Sequence, residues 1–124
     1  MLEGVLDDAY SGLAIDFERG ADTSAEVQID HVVPLSWAWQ HGADRWSDDQ
    51  RTLFANDPAN LQAVDGPTNA EKSDSGPGDW LPPNDDYLCA YVARFTLVVA
   101  DYGLRMGDAD RAGVARVLEG CATA

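Results

Sequence analysis

With 124 residues, 45% of them hydrophobic and 24% charged, the chain has the size and composition of one globular domain, burying about two thirds of its unfolded surface. No apolar run approaches the roughly 18 residues of a membrane span, so a soluble protein is expected. A formal charge of -14, with 8 Lys and Arg against 22 Asp and Glu, excludes the broad basic surface on which nucleic-acid binding ordinarily rests; most of the acidic groups read as a solvated surface.

Met1-Leu2-Glu3 opens without a basic segment followed by an apolar one, so no signal peptide is expected here, which leaves export open. From Gly4 to Phe17, short apolar runs flank Asp7 to Gly12 and read as a hairpin. A polar loop, Glu18 to Glu26, leads into a β-branched strand from Val27 to Val33 that ends at Pro34. Leu35 to Ala43 reads as a short helix carrying Trp37 and Trp39, and Ser47-Asp48-Asp49-Gln50 as a capping box opening a second helix through Phe54. Asn56-Asp57-Pro58 stops that excursion, and Leu61 to Val64 returns as a strand pairing with the one before Pro34. Asp65 then caps a helix with Pro67 in its first turn, which carries Asn69 and Lys72 before Ser75 to Gly78 ends it.

Past Trp80-Leu81-Pro82-Pro83, apolar residues from Leu88 to Tyr102 keep helical spacing. A last helix is expected from a capping Asp108 to about Glu119, with Ala112, Val117 and Leu118 inward. Cys89 and Cys121 lack the spacing of a structural zinc site. Spacing alone leaves two readings open: two buried free thiols, or one bridge closing a loop of about 30 residues, worth roughly 3 to 4 kcal/mol.

Asp30-His31, Asn60-Leu61 and Asn69-Ala70-Glu71-Lys72 together hold what phosphodiester hydrolysis needs: a base, an acidic metal ligand and an amide ligand. An imidazole titrates near about 6.5, which suits His31 as general base. Asp30 and the Asn69 side-chain oxygen are hard donors suited to Mg²⁺. Neighbouring residues of a regular strand face opposite ways, so Asp30 and His31 must straddle the phosphate, or the strand must twist or end there. Asn60 would hold the His31 loop. Singly, each motif is as well explained by a polar turn or a solvated helix face.

Taken jointly, Asp30-His31-Val32-Val33-Pro34-Leu35, Asn60-Leu61 and Asn69-x-x-Lys72-Ser73-Asp74 resemble the HNH endonucleases. A longer run, including Phe54-Ala55-Asn56-Asp57-Pro58, Trp80-Leu81-Pro82-Pro83 and Cys89-x-Tyr91 with Cys121, is similar to a branch of bacterial, often secreted, HNH nucleases. The resemblance implies an α+β fold: a ββα-metal core with a short N-terminal hairpin, a helical excursion between the two core strands and two C-terminal helices. It implies one domain over 1–124, with the core motif at 27–74 and the C-terminal helical part at 84–120.

By the same resemblance His31 is the general base, Asn60 supports its loop, and Asp30 and Asn69 bind one divalent ion, Mg²⁺ first and Mn²⁺ second. Lys72 is expected near the substrate phosphate or paired with an acidic neighbour, and Arg51 as a further phosphate contact. Cys89 and Cys121 match a cysteine pair of the branch, which implies a disulfide and a secreted or extracytoplasmic protein. The implied substrate is DNA, with RNA and the oligomeric state left open and no membrane partner. Trp39, Trp46 and Trp80 are expected to pack the excursion onto the core, and His41 to be surface or structural. Where relatives carry a basic residue near Val99, this chain has Val99-Ala100-Asp101, which weakens the expectation of tight nucleic-acid binding. Competing functions are a non-catalytic acidic module that binds a protein partner and the nuclease toxin part of a larger system.

Overall fold

A computed structural model describes residues 2–19 and 27–121. Among the described residues two small antiparallel sheets and five α-helices make an α+β fold. Strands β1 (Leu2–Asp7) and β2 (Ala14–Arg19) form the N-terminal hairpin, with Asp7 opposite Ala14. Its turn is closed by Asp8, whose carboxylate accepts from the Ser11 N–H at 2.8 Å and the Asp65 N–H at 3.0 Å. A buried carboxylate satisfied by backbone donors thus ties the hairpin to the start of the third helix. The expected polar loop up to Glu26 lies largely outside the described residues.

β3 (Val27–His31) and β4 (Leu61–Asp65) pair in antiparallel register, Val27 opposite Asp65 and His31 opposite Leu61. β3 stops at His31, two residues before the expected end, because Asn60 captures the next two residues: its carbonyl accepts from Val32 N–H and its side chain binds Val33. Helix α1 (Leu35–Gln40) is shorter than expected, since Gly42 at φ 133° takes a conformation closed to most side chains and turns the chain into a 3₁₀ segment, Ala43–Arg45. α2 (Asp48–Ala55) opens as read, with the Ser47 hydroxyl accepting from the Gln50 N–H. After a 3₁₀ turn at Pro58–Asn60 and β4, α3 (Gly66–Lys72) is capped by Asp65, which accepts from the Thr68 N–H.

Helix α4 (Leu88–Asp101) buries Tyr91, Val92, Phe95, Val98 and Val99, the face that the spacing marks. Helix α5 (Asp108–Gly120) corrects two expectations. Gly107 takes the N-cap position, no side chain caps it, and the buried residues are Asp110, Gly113 and Val114. Ala112 is exposed and Leu118 is 50% exposed. The reason is a close crossing: a Cβ at Gly113 would collide with the Pro77 carbonyl, while Asp110 accepts from Trp37 Nε1–H and Gly78 N–H, each at 2.9 Å. Polar bonds and a backbone approach, not aliphatic spacing, orient this helix.

The core gathers Tyr10, Val32, Val33, Trp37, Phe54, Val64 and the inner face of α4. Trp46 and Trp80 pack against it, whereas Trp39 stands 52% exposed, contrary to the expectation. Cys89 and Cys121 form a disulfide joining the start of α4 to the end of α5, so of the two readings left open the bridge is the one present.

Candidate active site

Asp30 and His31 close β3, still paired with Gln62 and Leu61 of β4. Asp30 turns inward, 7% exposed, and His31 stays half-buried. Both line an open depression of about 380 Å³ together with Asn69, Ser73, Asp74 and the apolar Ile29 and Leu35. Asn69 reaches it from α3. Ser73, at φ 50° just past the helix, swings the chain so that Asp74 reaches it too.

The His31 ring is held from outside the sheet: Nε2 lies 2.8 Å from the carbonyl oxygen of Ala55, the last residue of α2. A carbonyl only accepts, so Nε2 carries the hydrogen and the neutral ring keeps its lone pair on Nδ1. That is the tautomer a general base needs. Asn60 lies fully buried beneath this point, accepting from Val33 N–H at 2.7 Å and donating to the Val33 carbonyl at 3.0 Å. A side-chain amide matched to both backbone groups of one residue fixes the segment that leaves His31.

Asp30 is anchored by two residues. The Tyr10 hydroxyl donates to Oδ2 at 2.6 Å, and the Lys72 ammonium lies 3.0 Å from Oδ2 and 3.3 Å from Oδ1. Lys72 also donates to the His31 carbonyl at 2.9 Å. Burial pulls the lysine below its ordinary value, and the Asp30 charge and hydrogen bond work against that pull. Burial, then Tyr91 and the Asp30 charge, drive the Tyr10 phenol well above its usual value, so it stays a donor. Tyr91, buried beside Tyr10, has a hydroxyl without a protein partner among the described residues.

Neither of the two residues expected from sequence as phosphate contacts lines this depression. Lys72 is 0% exposed and cannot meet a substrate phosphate; it pairs with an acidic neighbour, the other role expected of it. Arg51 is committed to the excursion: it donates to the Ala43 and Trp46 carbonyls, pairs with Asp48 at 2.5 Å and lies over the Trp39 ring. His41 is structural, stacked on Trp37 and bonded to its carbonyl through Nδ1. Cys89 and Cys121 line none of this depression.

Two residues absent from the sequence reading complete the frame. One is Tyr10. The other is Arg94 of α4, which donates to the carbonyls of Pro58, Ala59 and Leu61 and to Gln62 Oε1, gripping the segment that carries Asn60. Neither has a local signal, since their partners lie 20 to 36 residues away in the chain.

Among the described residues no cluster of three His, Cys, Asp or Glu is arranged to hold a metal ion. The donors present are oxygens: the Asp30 carboxylate, and Asn69, whose Nδ2–H donates to Gln28 at 3.0 Å and so leaves Oδ1 as its acceptor for a ligand. Such a set fits a hard cation that keeps most of its water, as Mg²⁺ and Mn²⁺ do, and not a zinc cage.

Comparison with known proteins places this geometry in context. The family described as GmrSD restriction endonucleases, C-terminal domain, matches residues 1–110. A protein of Arthroderma benhamiae named "Uncharacterized secreted protein" is 41% identical over 100 residues, which cover 79% of this chain and 49% of the relative. The chain thus spans about half the length of the curated relative it matches.

Proposed function

This chain belongs to the family of C-terminal domains of GmrSD restriction endonucleases, and from that membership we propose that it is a divalent-metal-dependent endonuclease of the HNH type with a ββα-metal core. Its reaction is hydrolysis of DNA phosphodiester bonds with low sequence specificity. One observation carries the reading: His31 is anchored through Nε2–H on the Ala55 carbonyl, which leaves Nδ1 basic, and it shares one depression with the oxygen donors of Asp30 and Asn69.

His31 Nδ1 removes the proton from the attacking water, and the Ala55 carbonyl holds the ring in place as the imidazolium forms. Asp30 and Asn69 would hold one Mg²⁺ or Mn²⁺, which would supply charge stabilisation to the phosphoryl oxygens and the leaving group in a chain whose own net charge is -14. Asn60, through Val33, is a positioning residue for His31. Tyr10 and Lys72 fix the Asp30 carboxylate against rotation, so that little reorganisation accompanies catalysis. The disulfide and the fungal relative's name as a secreted protein support action outside the reducing cytoplasm.

Incubation of plasmid DNA with the protein and Mg²⁺, Mn²⁺ or EDTA tests the reading. Nicking is expected with metal and none in EDTA. His31→Ala should slow it by roughly 10²- to 10⁴-fold, the usual worth of a general base. The stabilisation of this variant by divalent ion, measured as a thermal shift, should persist. Undiminished cleavage in His31→Ala removes His31 as the base; no metal-dependent nicking under any condition favours the non-catalytic protein-binding module.

A further inference from the structure

Beside the candidate active site lies a second concavity, of about 280 Å³, between α1 and α2. Leu35 lines both spaces, and Ala55, whose carbonyl holds the His31 ring, is part of its wall. Trp46 and Phe54 form its inner side and Trp39 its exposed side, with the Arg51 guanidinium 5.2 Å from the Trp39 ring centroid. Ile29, Leu35 and Trp39 are 63%, 45% and 52% exposed, so an uncovered apolar track leads from the depression into this pocket. Leaving that much aromatic and aliphatic surface in water is costly, and such surface at a site usually meets a ligand.

We propose that this pocket is a base-binding subsite: it takes one unpaired nucleobase next to the scissile phosphate, stacked on Trp39, so that the preferred substrate is single-stranded or locally opened nucleic acid. The proposal rests on the endonuclease reading for the position of that phosphate. The volume is just below that of pockets for drug-sized ligands and suits a single flat ring system. Charge favours the same occupant. Duplex binding draws on phosphate neutralisation, yet the chain has 8 basic residues, and Lys72, Arg51 and Arg94 are all committed to internal partners. Stacking on an aromatic face needs no such charge and serves any base. A paired base stays inside its duplex and cannot enter, so the base must be splayed out.

Binding of fluorescently labelled strands to the His31→Ala protein in Mg²⁺, read by anisotropy, tests this apart from turnover. Three ligands are compared: a single-stranded DNA of mixed sequence, the same strand with abasic sites, and its duplex. Trp39→Ala should weaken single-strand binding by roughly 5- to 150-fold, the worth of one stacked base. Trp39→Phe should retain most of the affinity, and the abasic strand and the duplex should lose little in either variant. Circular dichroism of both variants controls for folding.

Single-strand affinity unchanged by Trp39→Ala, an equal loss on the abasic strand, or no binding of any strand overturns the subsite. So does self-association that Trp39→Ala abolishes, which assigns the pocket to a second copy of the chain. If wild type nicks plasmid while Trp39→Ala binds single strands normally, the subsite falls and the endonuclease reading stands. If base-dependent binding through Trp39 is found without metal-dependent nicking, the subsite stands and the catalytic reading falls.

Discussion

Replacing Lys72 by Met removes an ammonium and keeps an unbranched apolar stem of similar length. In the native protein that ammonium is fully buried and lies 3.0 Å from Asp30, itself 7% exposed, so the variant strands a carboxylate with only the Tyr10 hydroxyl for support. Taking one partner from a buried pair costs about 3 to 5 kcal/mol, a large share of the roughly 5 to 15 kcal/mol that holds a domain of this size together. With a urea m-value of about 1.5 kcal/mol/M, the midpoint of unfolding should fall by roughly 2 to 3 M. Neutralising the partner as well, in Asp30→Asn/Lys72→Met, should restore most of the loss, because a desolvated ion pair contributes little net stability. Millimolar Mn²⁺ should recover more stability in Lys72→Met than in wild type, since a buried carboxylate without its ammonium gains more from a bound cation. Urea melts with and without Mn²⁺ measure all three. A Lys72→Met protein within about 0.5 kcal/mol of wild type, the spread of ordinary surface changes, would refute the reasoning.

The phenols of Tyr10 and Tyr91 are raised chiefly by burial, so the folded protein keeps both protons where the unfolded chain releases them near pH 10. The stability tied to these protons is complete below about pH 10 and is lost above it, by roughly 3 kcal/mol per pH unit for the two groups together. Denaturant melts at intervals across that range should show the fall, and a flat profile would contradict it. Asn60→Ala leaves the Val33 N–H and carbonyl buried without their partner, at about 1 to 3 kcal/mol each. It should also reduce the rate of nicking at saturating metal, which joint unfolding and plasmid assays will separate. Reduction of Cys89–Cys121 reopens a loop with a sequence separation of 32 and should lower unfolding free energy by about 3 to 4 kcal/mol, measurable in melts with and without reductant.

Local chemistry made the framework of this site readable. Ser47 and Asp65 cap helices as their side chains allow, Pro34 follows the end of a strand, and the apolar period of α4 names its buried face. The order strand, excursion, strand, helix follows from these signals. Burial of charge was not readable. Lys72 in the last turn of a short helix looks solvated until Asp30 and the His31 carbonyl are found across from it. The same holds for α5, where hydrogen bonds to Asp110 and the contact of Gly113 with Pro77 override the aliphatic pattern. Trp39 misleads in the opposite sense: a tryptophan is expected in a core, and only its neighbours along the pocket account for its exposure.

The grip of Arg94 on residues 58–62 bears on how small such a protein can be made. A fragment cut from β3 to α3 would keep His31, Asn60, Asp30, Asn69 and Lys72, yet it would lack both outside hands on them: Tyr10, which holds Asp30, and the guanidinium that spans the approach to β4. Trimming toward a minimal unit therefore removes rigidity before it removes chemistry. Grafting this centre onto another scaffold would require a substitute for α4 as much as for the side chains that face the substrate.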